Sequence, residues 1–257
     1  MLSAIPESAR FVGVLAVVLA AFLFAVGVGP DRLPFPPGAD FSDAVTSHWP
    51  NALFFRRAVL NDHTWPLWRP LIMSGQPFAA NPLNKVWYPP QWLVLVLPLL
   101  LHLNLLTWLH LVIGGSGAWV WSRSTGLLPW PAALVGVGYA FAPRLIASAG
   151  AGHLDLIYAA AWYPWLLWAA FRLVRPIPAR WAGLALAIFA ALCFLADVRM
   201  SAYALAVTVV YLGWRWMQIP PAQRLTARRS IIAHLLVAML LAAGLTAVQW
   251  VPLLLYR

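Results

Sequence analysis

Charge is scarce in this chain, and negative charge is scarcest. Of 257 residues, 9% are Asp, Glu, Lys or Arg, and only seven are Asp or Glu. Water-soluble domains carry about 25% charged residues, so that class is excluded. The single cysteine, Cys193, lies inside an apolar run, which excludes an intrachain disulfide. The chain also lacks the ten-residue segments of alternating hydrophobicity that a membrane barrel needs. The net charge of +10 comes from Arg residues set between apolar runs. Such charges orient membrane spans, so nucleic acid is not the implied partner.

What the chain has is long apolar runs, 63% of it being hydrophobic. A helical span needs about 17–25 apolar residues. Runs of that kind fall at residues 11–29, 103–122, 131–148, 156–173, 181–196, 201–216 and 231–251. No small-residue cleavage motif follows the first run, so it reads as a retained helix and not a signal peptide. The fold class expected is all-α: a polytopic membrane protein of about seven transmembrane helices, residues 1–257 forming one transmembrane domain. The chain closes at Arg257, directly after the last run. It is therefore either a seven-span protein or the front part of a longer one.

Loop charge orients these spans. Arg10, Arg123, Arg172, Arg175, Arg180, Arg215, Arg224, Arg228 and Arg229 fall on one side, which the positive-inside rule makes cytoplasmic. The N-terminus is then inside. Six of the seven acids, Asp31, Asp40, Asp43, Asp62, Asp155 and Asp197, fall on the other side. The acid-bearing face is where function is expected. On that side the connection of residues 30–90 is far longer than usual. It is rich in Pro and Trp, and a helix is expected from Ser47 to Leu60, lying on the outer leaflet with Arg56 and Arg57 snorkelling to head groups.

Several residues suit chemistry on this face. Asp40 and Asp43 are three apart, which puts both on one side of a helical turn. A carboxylate there suits a general base. His153 and Asp155, two apart, either form a hydrated loop pair or share one ion, with Mg²⁺ or Mn²⁺ the fitting metals. Arg199 either pairs locally with Asp197 or grips a phosphate. Arg144 either snorkels or does the same job as Arg199. Asn104, Thr107 and His110 in the second run are expected to hydrogen-bond across helices. Gly114-Gly-Ser-Gly117 reads as a small-residue packing face, not a phosphate loop.

The motifs of the long loop carry a resemblance. They are Ser42-Asp43, Trp65-Pro-Leu-Trp-Arg-Pro70, Gly75-Gln-Pro-Phe78, Ala80-Asn-Pro82 and Tyr88-Pro-Pro90. Gly152-His153, Ala161-Trp-Tyr-Pro164 and Val248-Gln-Trp-Val-Pro252 follow in order. Together they resemble the YfhO-like family of bacterial multispan proteins, which look like GT-C-type glycosyltransferases. Leu255 stands where members often carry Glu, and Asp197-Val-Arg199 where they commonly carry Gly-His-Pro. The resemblance implies transfer of a sugar from a polyprenyl-phosphate donor at the outer face of the bacterial inner membrane. It implies Asp43 as base or metal ligand, assisted by Asp40. Arg199 or Arg144 would bind the donor phosphate, and His153 with Asp155 would be a metal pair. The implied partners are a lipid-linked sugar donor and membrane lipids. Two rival readings are a non-catalytic GT-C-shaped subunit packed against other membrane subunits, and a lipid or sugar transporter.

Overall fold

The computed structural model describes residues 6–32, 41–72, 74–175, 179 and 181–255. Among these the chain is helical with almost no sheet, as its long apolar runs predict. The α-helices are α1 (Glu7–Ala25), α2 (Trp49–Leu60), α3 (Leu99–Ser124), α4 (Pro129–Ala140) and α5 (Pro143–Ala151). They continue with α6 (Leu154–Ala160), α7 (Tyr163–Leu173), α8 (Ala182–Ala196), α9 (Val198–Met217) and α10 (Pro221–Leu255). Among the described residues, four helical stretches are long and apolar enough to cross a membrane: Glu7–Ala25, Leu99–Ser124, Pro129–Ala151 and Ala227–Leu255. Ala182–Ala196 is apolar but shorter.

Two of the expected runs are broken helices. The third is α4 followed by α5, and the fourth is α6 followed by α7. Pro143 and Pro164 sit in the first turns of α5 and α7. Proline lacks an N–H and cannot accept a helix running through it, but it fits a helix start. The breaks, at Phe141-Ala142 and Ala161-Trp162, leave α5 and α6 as short helices on either side of the turn where the candidate site is built.

The small-residue face of α3 packs inside the chain. A Cβ on Gly115 would lie 2.8 Å from the carbonyl oxygen of Gly136 on α4. One on Gly117 would lie 2.6 Å from the Trp165 indole of α7. Small residues let helix backbones approach closely where no hydrophobic force drives them together. This face therefore joins α3 to α4 and α7, and is not left open to lipid or to a partner.

The connection after α1 folds on itself. Strands β1 (Trp68–Arg69) and β2 (Gln76–Pro77) pair antiparallel, Trp68 opposite Pro77. The helix expected from Ser47 to Leu60 is present as α2 from Trp49 on, entered by a π-helical turn over Ala44–His48. Its buried face, Ala52 and Phe55, packs on Phe78, Val86 and Val94. Arg56 corrects the expectation. Rather than snorkel, it donates to the carbonyl oxygens of Val94 (3.1 Å) and Leu97. These carbonyls end an irregular 3₁₀ stretch and need a donor. Arg57 is exposed.

Three buried polar groups fasten this connection to the helices. Asn104 of α3 donates to the carbonyls of Gly29 (2.5 Å) and Arg32 (2.6 Å). Gln249 of α10 donates to the Ala80 carbonyl at 2.6 Å. Tyr88 inserts among the helices, donates to His110 Nε2 and accepts from the Trp162 indole at 3.0 Å. His110 Nδ1 donates to the Leu106 carbonyl at 2.6 Å, which leaves Nε2 as the acceptor. Asn104 and His110 of α3 thus satisfy groups of the long connection, whereas Thr107 turns back to the Leu103 carbonyl of its own helix at 2.9 Å.

Candidate functional site

The site begins at the turn between α5 and α6. Gly152 ends α5 at φ +78°, a left-handed conformation that suits glycine, and His153 N–H returns to the Ser148 carbonyl at 2.9 Å. Glycine is needed here for a second reason. A Cβ would lie 2.3 Å from the Ala44 backbone nitrogen and 2.6 Å from Ser42 Oγ. The turn is therefore pressed against the chain that carries Asp43. His153 Nε2 lies 3.4 Å from Asp43 Oδ2. Both are accessible, His153 at 53% and Asp43 at 38%.

Gly152→Ala should cost at least about 2 kcal/mol. A left-handed residue with a Cβ costs roughly 1–2 kcal/mol, and the methyl must also displace backbone. Thermal unfolding in detergent measures the loss. A melting point equal to wild type would show that the two segments are not in firm contact.

Asp155, two residues past His153, faces a different set of partners. Its Oδ1 is ion-paired with Lys85 Nζ and lies 3.9 Å from His48 Nε2. Its Oδ2 lies 4.0 Å from Arg199 Nη2. Lys85 is 2% exposed and has φ +53°. The Asn81-Pro82 turn aims it inward: Asn81 Oδ1 caps the turn through Leu83 N–H, and Asn84 donates to the Phe78 carbonyl at 2.8 Å. The ammonium also donates to the Leu83 carbonyl at 3.1 Å and faces His48 Nδ1 at 3.5 Å. With Nδ1 turned to a cation and Nε2 to a carboxylate, the imidazole fits as a neutral ring carrying its proton on Nε2. Burial pushes the Asp155 pKa up, but Lys85, His48 and Arg199 together hold it below the ordinary carboxylate value.

Burial, then the Lys85 charge, depress the His48 pKa from 6.5 to about 3, against the pull of Asp155. The unfolded chain binds this proton below 6.5, whereas the folded chain does not until about 3. Stability therefore falls as pH drops through that window, by up to about 1.4 kcal/mol per pH unit. The Asp155 contribution is lost only below the ordinary carboxylate range, so it leaves pH 4.5 untouched. Unfolding midpoints at pH 7.5 and 4.5 should show a drop in the wild type that His48→Gln reduces without abolishing, because His102 and His110 are buried as well. An equal drop in the variant would assign the acid sensitivity to other groups.

Asp197 and Arg199 complete the cluster. Asp197 is the N-cap of α9, accepting from the N–H groups of Arg199 (2.7 Å) and Met200 (3.0 Å). Arg199 Nη2 returns to Asp197 Oδ2 at 2.9 Å. The local ion pair of the two sequence alternatives is formed. Arg199 remains 72% exposed, and it borders a cleft of about 250 Å³ walled by Asn81, Pro82, Leu83 and Val198.

Asp43, His153, Asp155 and Arg199 thus come together on one face. Arg144 does not join them. It is exposed in the first turn of α5, and no carboxylate among the described residues pairs with it. Asp40 lies outside the described residues. His153 and Asp155 do not converge as an ion-binding pair, because each faces its own partner across the turn. No group of three His, Cys, Asp or Glu assembles among the described residues to hold Mg²⁺ or Mn²⁺.

Lys85 and His48 were not distinguished in the sequence from other loop cations. One signal was there: Lys85 is the only lysine among the 17 Lys and Arg residues. A compact ammonium can be satisfied by one carboxylate and a carbonyl, whereas a buried guanidinium has five N–H groups to place. No protein-family model, curated protein or solved structure matches this chain.

Proposed function

We propose that this chain is a seven-pass, GT-C-like membrane protein that transfers a sugar from a polyprenyl-phosphate donor at the outer face of the bacterial inner membrane. The four long apolar helices, with α6–α7, α8 and α9, make the seven passes, and the arginine-rich ends lie in the cytoplasm. The observation that carries the reading is the pressing of the Gly152-His153 turn onto Asp43. It leaves an accessible carboxylate–imidazole pair beside a buried charge network. Asp43 takes the proton from the acceptor hydroxyl as that oxygen bonds to the anomeric carbon. The bond from that carbon to the donor phosphate breaks, and polyprenyl phosphate leaves with the electron pair. Arg199 stabilises the phosphate, being exposed at a cleft and fixed by Asp197. Lys85 and Asp155 hold the turn and Arg199 in place.

One observation favours a non-catalytic, GT-C-shaped subunit instead. Asp43, Asp155 and Asp197 each have a basic partner in their own chain, so the cluster is complete as a structural plug. Reconstitution decides between the readings. Purified protein in liposomes, given radiolabelled sugars on polyprenyl phosphate, should release label to an acceptor on the face bearing Asp43. Absence of transfer from every polyprenyl-phosphate sugar tried, by protein that is folded and inserted, would sink the enzymatic reading.

A further inference from the structure

The opposite end of the bundle holds a second feature. α10 packs along α8 at Gly183, where a Cβ would lie 2.9 Å from the His234 carbonyl oxygen. That close approach leaves a gap between α10 and α9. The gap is a cavity of about 490 Å³ walled by Val174, Leu212, Trp216, Ile231 and Leu235, with Arg228 at its end. Ligand pockets span roughly 300–1,000 Å³. From Arg228 to Leu235 the wall runs about 10 Å along α10.

Among the described residues that wall the cavity, Arg228 is the one that carries charge, and Asp197 caps the far end of α9. Two neighbouring arginines are occupied, while Arg229, next in the chain, is exposed and does not wall the cavity. Arg224 donates to the carbonyls of Ile219 (2.9 Å) and Met217 (2.8 Å), and Arg215 donates to Gln218 and lies over the Phe171 ring. Arg228 is exposed, and no hydrogen-bond or ion-pair partner faces it among the described residues. It stands at the start of the apolar stretch Ala227–Leu255, which is where lipid phosphates lie in a membrane.

We propose that the α9–α10 cavity binds one acyl chain of an anionic phospholipid, with Arg228 engaging the lipid phosphate. An apolar wall takes the chain and an unpaired cation takes the head group. Zwitterionic lipid fills the wall equally well but gains less at Arg228. One surface arginine is worth roughly fivefold in affinity for an anionic lipid.

Two variants separate the two halves of the site. Gly213 borders the cavity, and a Cβ there meets nothing within 4 Å, so Gly213→Phe fills the space without a backbone clash. Arg228→Gln removes the charge alone. Delipidated protein is titrated in detergent with phosphatidylglycerol, phosphatidylcholine and inorganic phosphate, and bound species are counted by native mass spectrometry. One phosphatidylglycerol should bind at least roughly fivefold more tightly than phosphatidylcholine. Arg228→Gln should abolish that preference, Gly213→Phe should prevent occupancy by either lipid, and exposed Arg10→Gln should change nothing. Inorganic phosphate should fail to displace the lipid. The proposal is overturned if Gly213→Phe binds lipid as the wild type does. It is equally overturned if Arg10→Gln and Arg228→Gln weaken binding alike, or if inorganic phosphate binds in the lipid's place.

Discussion

Lys85→Met should destabilise the protein by about 3–5 kcal/mol, the cost of leaving a buried charge without its partner. Asp155, at 16% exposure, would lose the strongest influence holding it ionised, and burial alone would then raise its pKa. Methionine matches the lysine stem in length, so packing changes little and the effect reports charge. In a chain of this size the melting point should fall by roughly 6–20 °C. The double variant Lys85→Met/Asp155→Leu should recover most of the loss, because an ion pair replaced by apolar groups is often neutral or stabilising. Thermal unfolding of the single and double variants in one detergent makes the comparison. A single variant within 1 kcal/mol of wild type would show that this pair is not a structural centre of the site.

Asp43→Asn should lower sugar transfer by roughly 10²–10⁴, the contribution of a positioned acid–base group. Its effect on stability should stay within about 0.5 kcal/mol, since the side chain is 38% exposed and its partner His153 is more exposed still. The contrast with Lys85→Met is the point of the experiment. Loss of activity in Asp43→Asn comes with an intact fold, whereas Lys85→Met loses the fold first. If the chain is a structural subunit, Asp43→Asn leaves both assembly and phenotype unchanged. Transfer in liposomes, with melting points on the same samples, distinguishes these outcomes. Undiminished transfer would remove Asp43 from the reaction.

The class of protein was legible in the sequence because it depends on sums. Scarce charge and long apolar runs predict helices wherever they occur, and the expected runs are helical in the structure, two of them as broken helices. The 49–60 helix was legible for the same reason. The gathering of Asp43, His153, Asp155 and Arg199 on one face was foreseen only in outline, from which loops share a side. The direction of each side chain was not. His153 and Asp155 are two apart, and a turn pivoting at Gly152 sends one to Asp43 and the other to Lys85.

What the sequence by itself determined is the helical, lipid-compatible character of this chain, since hydropathy over a window of twenty residues needs no knowledge of neighbours. Pro143, Gly152 and Pro164 act through their own backbone, but Pro252 lies inside α10, so the residue type alone does not say which position ends a helix. Only the tertiary structure decided which charges meet. Lys85 and Asp155 are 70 positions apart, and no local pattern links them. Their pairing depends on the fold of the first long connection, which the Tyr88, Asn104 and Gln249 hydrogen bonds anchor to three separate parts of the bundle. Low polarity makes that meeting consequential: where water is excluded, an unpartnered charge is costly, so the fold must bring each buried ion to a partner.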